Sequence, residues 1–117
     1  MGDSVVVKKL LRKRGNAEAL SWLQAGGAVV HRGLSELSNA QSIALVKRVY
    51  QWGAANVIAA NIKINSPYES TGTLLVALPE DPSKRASLFE KINEDGAQRG
   101  WDPETDAGQS HLLMFFV

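Results

Sequence analysis

The apolar run Thr71 to Leu78, followed at once by Pro79-Glu80-Asp81-Pro82, constrains the fold of this chain more than any other stretch. A central strand cannot continue through proline, which lacks the amide that a ladder needs. The Asp81 carboxylate can accept bonds from the orphan amides of a helix start. Pro82 in the first helical position loses nothing by lacking its N–H. A strand therefore ends and a helix begins within one short junction. Apolar residues occupy both alternations of the run, which predicts burial on more than one side of its sheet. The helix that follows carries Ala86, Leu88, Phe89 and Ile92 as a buried stripe. It weakens at Gly96 and ends at Gly100, a residue suited to a left-handed C′ position.

Elements on either side can be read in the same way. Val57 to Ile64 alternates, with Ile58, Ala60, Ile62 and Ile64 on one face, and Asn65-Ser66-Pro67 breaks the strand. Before it, Ser38 or Asn39 caps a helix that runs to about Trp52 and stops at Gly53, with Ile43, Val46, Val49 and Tyr50 at helical spacing. Leu112 to Val117 reads as a closing strand, and Ala28 to His31 as a short first one. From residue 28 the order is strand, helix, strand, strand, helix, strand. That order implies an α+β fold of the ferredoxin-like split βαβ type: one antiparallel sheet with two helices on one face. Without the first strand, the core reduces to α-β-β-α-β.

Ahead of this core, residues 4–14 read as a helix in which Val6, Val7, Leu10 and Leu11 form an apolar stripe. Asp3 or Ser4 caps it and Gly15 ends it. The β-branched run Val5-Val6-Val7 leaves a short strand as the alternative. A second helix spans Ala17 to Gln24, capped by Asn16 with Glu18 in its first turn and stopped by Gly26-Gly27. Leu20 and Leu23 face inward and Trp22 is partly buried. Residues 1–27 thus form a basic helical extension and residues 28–117 the α+β core.

A chain of 117 residues can bury a core without disulfides or metal. It has no cysteine, which excludes thiolate catalysis and cysteine-ligated zinc and fits a cytoplasmic protein. No apolar run reaches the length of a membrane span, and Val5-Val6-Val7 is too short for the core of a signal peptide. The formal net charge of +1 conceals an asymmetry. Residues 1–48 hold eight Lys/Arg against three acidic groups, and residues 49–117 hold five against nine. Such a layout favours self-association or an anionic partner for the N-terminal part.

Four constellations bear on chemistry. Asp102, Glu104 and Asp106 stand at alternate positions before the last strand, and with Gln109 and His111 they make a candidate small-ligand or metal site. Counted from Asp102 as a calcium loop, the places for glycine and the bidentate glutamate hold Ala107 and Leu113, so the loop pattern fails. Asp102-Pro103 reads instead as a turn, and Asp106 as an Asx turn onto Gly108 or Gln109. His31 and His111 fall on the first and last strands, which neighbour one another in a ferredoxin-like sheet. Ser110 points away from His111 in a strand, and an acid–base pair of His111 with Asp106 has no further support. No catalytic residue, metal or cofactor is assigned. Lys8, Lys9, Arg12, Lys13 and Arg14 crowd one helix and make a candidate nucleic-acid or polyanion surface. The candidate central strands lack the aromatics of a base-stacking sheet. Trp22, Trp52 and Trp101, with an unblunted last strand that carries Phe115 and Phe116, point to association with a second copy or a protein partner. No glycine-rich phosphate loop is present.

Leu78-Pro79, Asp81-Pro82, Arg85, Phe89, Gly100, Asp102-Pro103-Glu104, Asp106 and Gly108-Gln109, followed by an apolar terminal strand, together resemble a group of small bacterial α+β proteins. Tyr50-Gln51-Trp52-Gly53-Ala54 is similar to that group's helix end, so the resemblance covers about residues 38–117. It implies the α+β fold and no particular activity. Similar proteins end with an acidic residue after the aromatics, whereas this chain ends at Val117. The leading expectation is a non-enzymatic interaction or oligomerisation module.

Overall fold

The computed structural model describes residues 5–12, 15–26, 30–35 and 37–116. The expected cap at Asp3 or Ser4, the basic residues Lys13 and Arg14, and Ala28 and Val29 of the expected first strand lie outside the described residues, as does Val117. The elements in chain order are α1 (Val5–Arg12), β1 (Ala17–Glu18), α2 (Ala19–Ala25), β2 (His31–Leu34), α3 (Asn39–Gln51) and β3 (Asn56–Ala60), then β4 (Lys63–Asn65), β5 (Tyr68–Thr71), β6 (Thr73–Ala77), α4 (Pro82–Gln98) and β7 (His111–Phe115). The fold is α+β.

The expected single ferredoxin-like sheet is corrected to two sheets. Strands β1-β3-β6-β7 form an antiparallel sheet in that order, and β2-β5-β4 form a second, mixed one. The split occurs at Asn61, which adopts φ +54. Asparagine tolerates this left-handed conformation better than most residues because its short side chain bonds locally. The expected strand Val57 to Ile64 is therefore broken into β3 and β4, one in each sheet. Its outer end leaves the core, and Ile64 is 72% exposed. The strand expected at Ala28 to His31 corresponds to β2, which begins at His31 and pairs parallel with β5. It does not insert between β6 and β7, which bond directly. Thr71 joins the sheets: its buried hydroxyl donates to the Ala60 carbonyl and accepts from the Thr73 amide at 3.0 Å.

The four-stranded sheet is covered on both faces. Val57, Ala59, Leu74, Val76, Leu112 and Met114 meet Leu23 of α2, Leu45, Val46 and Val49 of α3, and Leu88, Phe89 and Ile92 of α4. On the other face Val7 and Leu10 of α1 bury against Ala60 and Leu75, with Ile58 and Leu113 alongside. Leu74, Leu75 and Val76 are all fully buried, as the unbroken apolar run requires. The α1 helix is confirmed, with a narrower stripe: Leu11 is exposed.

Helix boundaries follow local chemistry. Ser38 and Gln41 form a reciprocal capping box at the start of α3, and Gly53 follows that helix at φ +118. Asp81 caps α4 by accepting from the Lys84 amide, Pro82 opens the helix, and Gly100 follows it at φ +80. Ala86 departs from the expected stripe and faces solvent. The expected Asn16 cap is corrected as well. Asn16 donates to the Leu10 carbonyl at 2.5 Å and accepts from the Asn61 amide at 3.2 Å, tying the end of α1 to the strand break. Glu18 takes the capping role for α2, accepting from the Leu20 amide at 3.0 Å and the Ser21 amide at 2.7 Å.

Glu18 has a third partner in the Tyr50 hydroxyl, which donates to it at 2.5 Å and accepts from the Val57 amide at 3.1 Å. One carboxylate thus links α2, α3 and β3. Burial pushes the Glu18 carboxyl up, but Tyr50 and the amides of Ser21 and Leu20 outweigh it and leave it below its ordinary value. Burial and the neighbouring carboxylate both push the Tyr50 hydroxyl up.

Candidate functional site

The site lies along β7, the outer strand of the four-stranded sheet. The Phe116 amide donates to the Gly72 carbonyl at 2.7 Å, and the Ser110 carbonyl accepts from the Leu78 amide at 2.8 Å. Even-numbered residues of the strand therefore turn their backbone groups toward β6. By the alternation of an antiparallel ladder, Leu113 and Phe115 direct theirs toward the outer edge. Their side chains stand on the α1 face of the sheet; Leu113 is half-buried beside α1 and Phe115 is 47% exposed.

The acidic segment after α4 runs back beside this edge, pinned to α4 at successive turns. Trp101 starts the return. Its amide donates to the Gly96 carbonyl at 2.9 Å, and its ring packs edge-on against Phe116 at 5.5 Å. Gly96 lets the ring approach closely: a Cβ there would stand 3.1 Å from it, and the ring would have to shift by a few tenths of an ångström. Asn93 brackets the Glu104 backbone, donating to its carbonyl at 2.9 Å and accepting from its amide at 2.8 Å. Arg85 then holds Asp106 with two bonds of 2.9 and 2.7 Å and reaches the Gln109 carbonyl at 2.8 Å. Asp106 also accepts from the Gly108 amide at 3.0 Å, the Asx turn expected from the sequence. The Arg85 guanidinium and the Gly108 amide hold the Asp106 carboxyl down at about 2.

This geometry divides the acidic residues. Asp106 is committed to Arg85 and its own turn. Gln109 is committed within the loop, accepting from the Ala107 amide at 2.7 Å and donating to the Thr105 carbonyl at 3.1 Å. Asp102 and Glu104 instead line a groove of about 350 Å³, together with Ile92, Trp101, Leu113 and Phe115. A neighbouring cleft of about 280 Å³ continues past Glu104 to Val7, Gln109 and His111. Among the described residues no three His, Asp or Glu side chains are gathered as metal ligands.

The histidines do not meet. His31 lies in the second sheet and stacks on Tyr68, with ring centroids 5.1 Å apart, while His111 lies on β7. The expectation that Ser110 points away from His111 is also corrected: the Ser110 Oγ lies 2.6 Å from the His111 Nδ1. Ser110 precedes the strand, so pleated alternation does not govern it. Asp106 faces Arg85, which bonds both of its carboxylate oxygens.

On α1, seating of Val7 and Leu10 against the sheet leaves Lys8, Lys9 and Arg12 exposed. No helix of the described residues is long and apolar enough to cross a membrane. Comparison with known proteins adds no relative: no family model, curated protein or solved structure matches the chain.

Proposed function

We propose that this protein is a cytoplasmic, non-enzymatic association module that pairs with a second copy along β7. The observation that carries this reading is an outer strand whose edge flanks a groove with Ile92, Trp101, Leu113 and Phe115 on its walls beside the Asp102 and Glu104 carboxylates. Leu113 and Phe115 turn backbone groups outward beside it, and a tightly pinned loop forms its far wall. Asn93 and Arg85 pin that loop to α4. Antiparallel pairing of two β7 strands about Leu113 sets like against like, as a twofold interface requires. No lysine or proline blunts the strand, in contrast to most natural edges.

Light scattering after size exclusion tests the reading. The wild type is expected as a dimer at micromolar concentration and Phe115→Lys as a folded monomer. A wild type that stays monomeric up to hundreds of micromolar overturns it.

A second reading rests on the outward Lys8, Lys9 and Arg12. It makes α1 a polyanion surface, joined in sequence by Lys13 and Arg14. Binding to a short DNA duplex would then weaken steeply with salt, and Lys8→Glu with Arg12→Glu would flatten that slope. A salt response unchanged by the double variant refutes it.

A further inference from the structure

A separate concavity lies away from β7, against the second sheet. It measures about 650 Å³, within the range of roughly 300–1,000 Å³ typical of small-molecule sites. His31, Tyr68, Ser35, Ser38 and Ser70 are among its walls. His31 and Tyr68 are direct partners in the parallel β2–β5 register, so both rings rise from the same face of the sheet. They stack 5.1 Å apart and 25° from parallel, although Tyr68 is 60% exposed. Stacking uses one face of each ring. β2 is an outer strand of this sheet, and His31 is exposed there.

The rings are held from behind. On the opposite face, Arg32 and Glu69 are the next register pair, bonded at 3.2 Å and half-buried. The Trp22 indole donates to the same Glu69 oxygen at 3.2 Å, and Arg32 reaches the Trp22 carbonyl at 3.0 Å. This network fixes the two strands, so the exposed rings are presented on a rigid support. The hydroxyl of Ser38 already accepts from the Gln41 amide, which leaves its proton to donate.

We propose that this cleft binds a nucleobase, stacked on the His31–Tyr68 pair, with the adjoining ribose hydroxyls bonded by the serine side chains. A planar ring matches the aromatic wall, the serine hydroxyls match a hydroxylated sugar, and Arg32 and Glu69, which also line the cleft, are paired with each other. The base could be carried by a free nucleoside or nucleotide, or by a single strand.

Calorimetry with adenosine, adenosine monophosphate and a ten-nucleotide single-stranded oligo(A) distinguishes these sources. Heat with the small ligands assigns a nucleoside site, and heat with the oligonucleotide alone assigns a strand site. In either case His31→Ala and Tyr68→Ala are expected to weaken binding about tenfold or more, as loss of a stacking partner does. Tyr68→Phe, which keeps the ring, is expected to stay within about threefold. Both residues are exposed, so the melting temperatures of the variants should match the wild type. Absence of heat with all three ligands, or equal binding by the wild type and both alanine variants, overturns the proposal.

Discussion

Removing the Glu18 carboxylate should cost far more than an ordinary surface change. Glu18 caps α2 through two amides and receives the Tyr50 hydroxyl, so Glu18→Ala removes a cap and the charged acceptor of a half-buried phenol, leaving that hydroxyl only the Asn56 Oδ1 at 3.1 Å. Loss of an N-cap costs about 1 kcal/mol. Loss of a hydrogen bond to a charged acceptor costs about 1–3 kcal/mol. The expected total is about 2–4 kcal/mol. With an unfolding entropy of about 2.1 cal/mol/K per residue, a chain of 117 residues loses about 4 °C of Tm per kcal/mol. The variant should therefore melt roughly 8–16 °C below the wild type. Tyr50→Phe should share part of this loss, and the double variant should fall short of the sum by about 1 kcal/mol or more. Chemical denaturation of the four proteins gives that coupling. The folded carboxyl lies below its ordinary value, so its stabilisation is present above pH 4.5 and disappears as pH falls through the lower folded value. Strict additivity, or a Glu18→Ala loss below about 1 kcal/mol, would refute the idea that this carboxylate joins three elements.

Other consequences follow from the same contacts. Leu10→Ala should cost about 2–4 kcal/mol in chemical denaturation, because it opens a cavity between α1 and the sheet; a loss under about 0.5 kcal/mol, the level of an ordinary surface change, would mean that α1 is not seated there. Gly72→Ala should destabilise by about 1–3 kcal/mol, since its Cβ would stand 2.7 Å from the Phe116 carbonyl oxygen. Asp106 is held at about 2, below an ordinary 3.8, so its grip on the turn is complete above pH 3.8 and is lost as pH falls through about 2. Hydrogen exchange at the Gly108 amide should accelerate in that window, and at every pH in Asp106→Ala.

The parts of the fold legible from sequence are those decided by neighbours along the chain. The capping box at Ser38, the Asp81-Pro82 start and the Gly100 stop each use residues within a turn of one another. The doubly buried β6 was legible because both alternations are apolar. The single-sheet expectation failed at Asn61, since apolar alternation continues across it while the backbone turns. The asparagine was the available signal. The parallel pairing of His31 with Tyr68 joins residues far apart in sequence, and no local pattern specifies it. Asn16 satisfies every local rule for a cap, yet its amide is drawn to Leu10 and Asn61, and Glu18 reaches the helix amides instead. At the candidate site, the Asx turn was readable from Asp106 and Gly108 alone. The clamps from Arg85 and Asn93 were not, because they depend on the loop running back beside α4.

The most direct measurement of the β7 association is amide hydrogen exchange at Leu113 and Phe115 as protein concentration rises. Pairing with a second copy should slow exchange at these two amides in the concentrated sample, and Phe115→Lys should abolish the change at Leu113. Exchange at both positions that is rapid and independent of concentration would contradict the assignment of this edge as the interface.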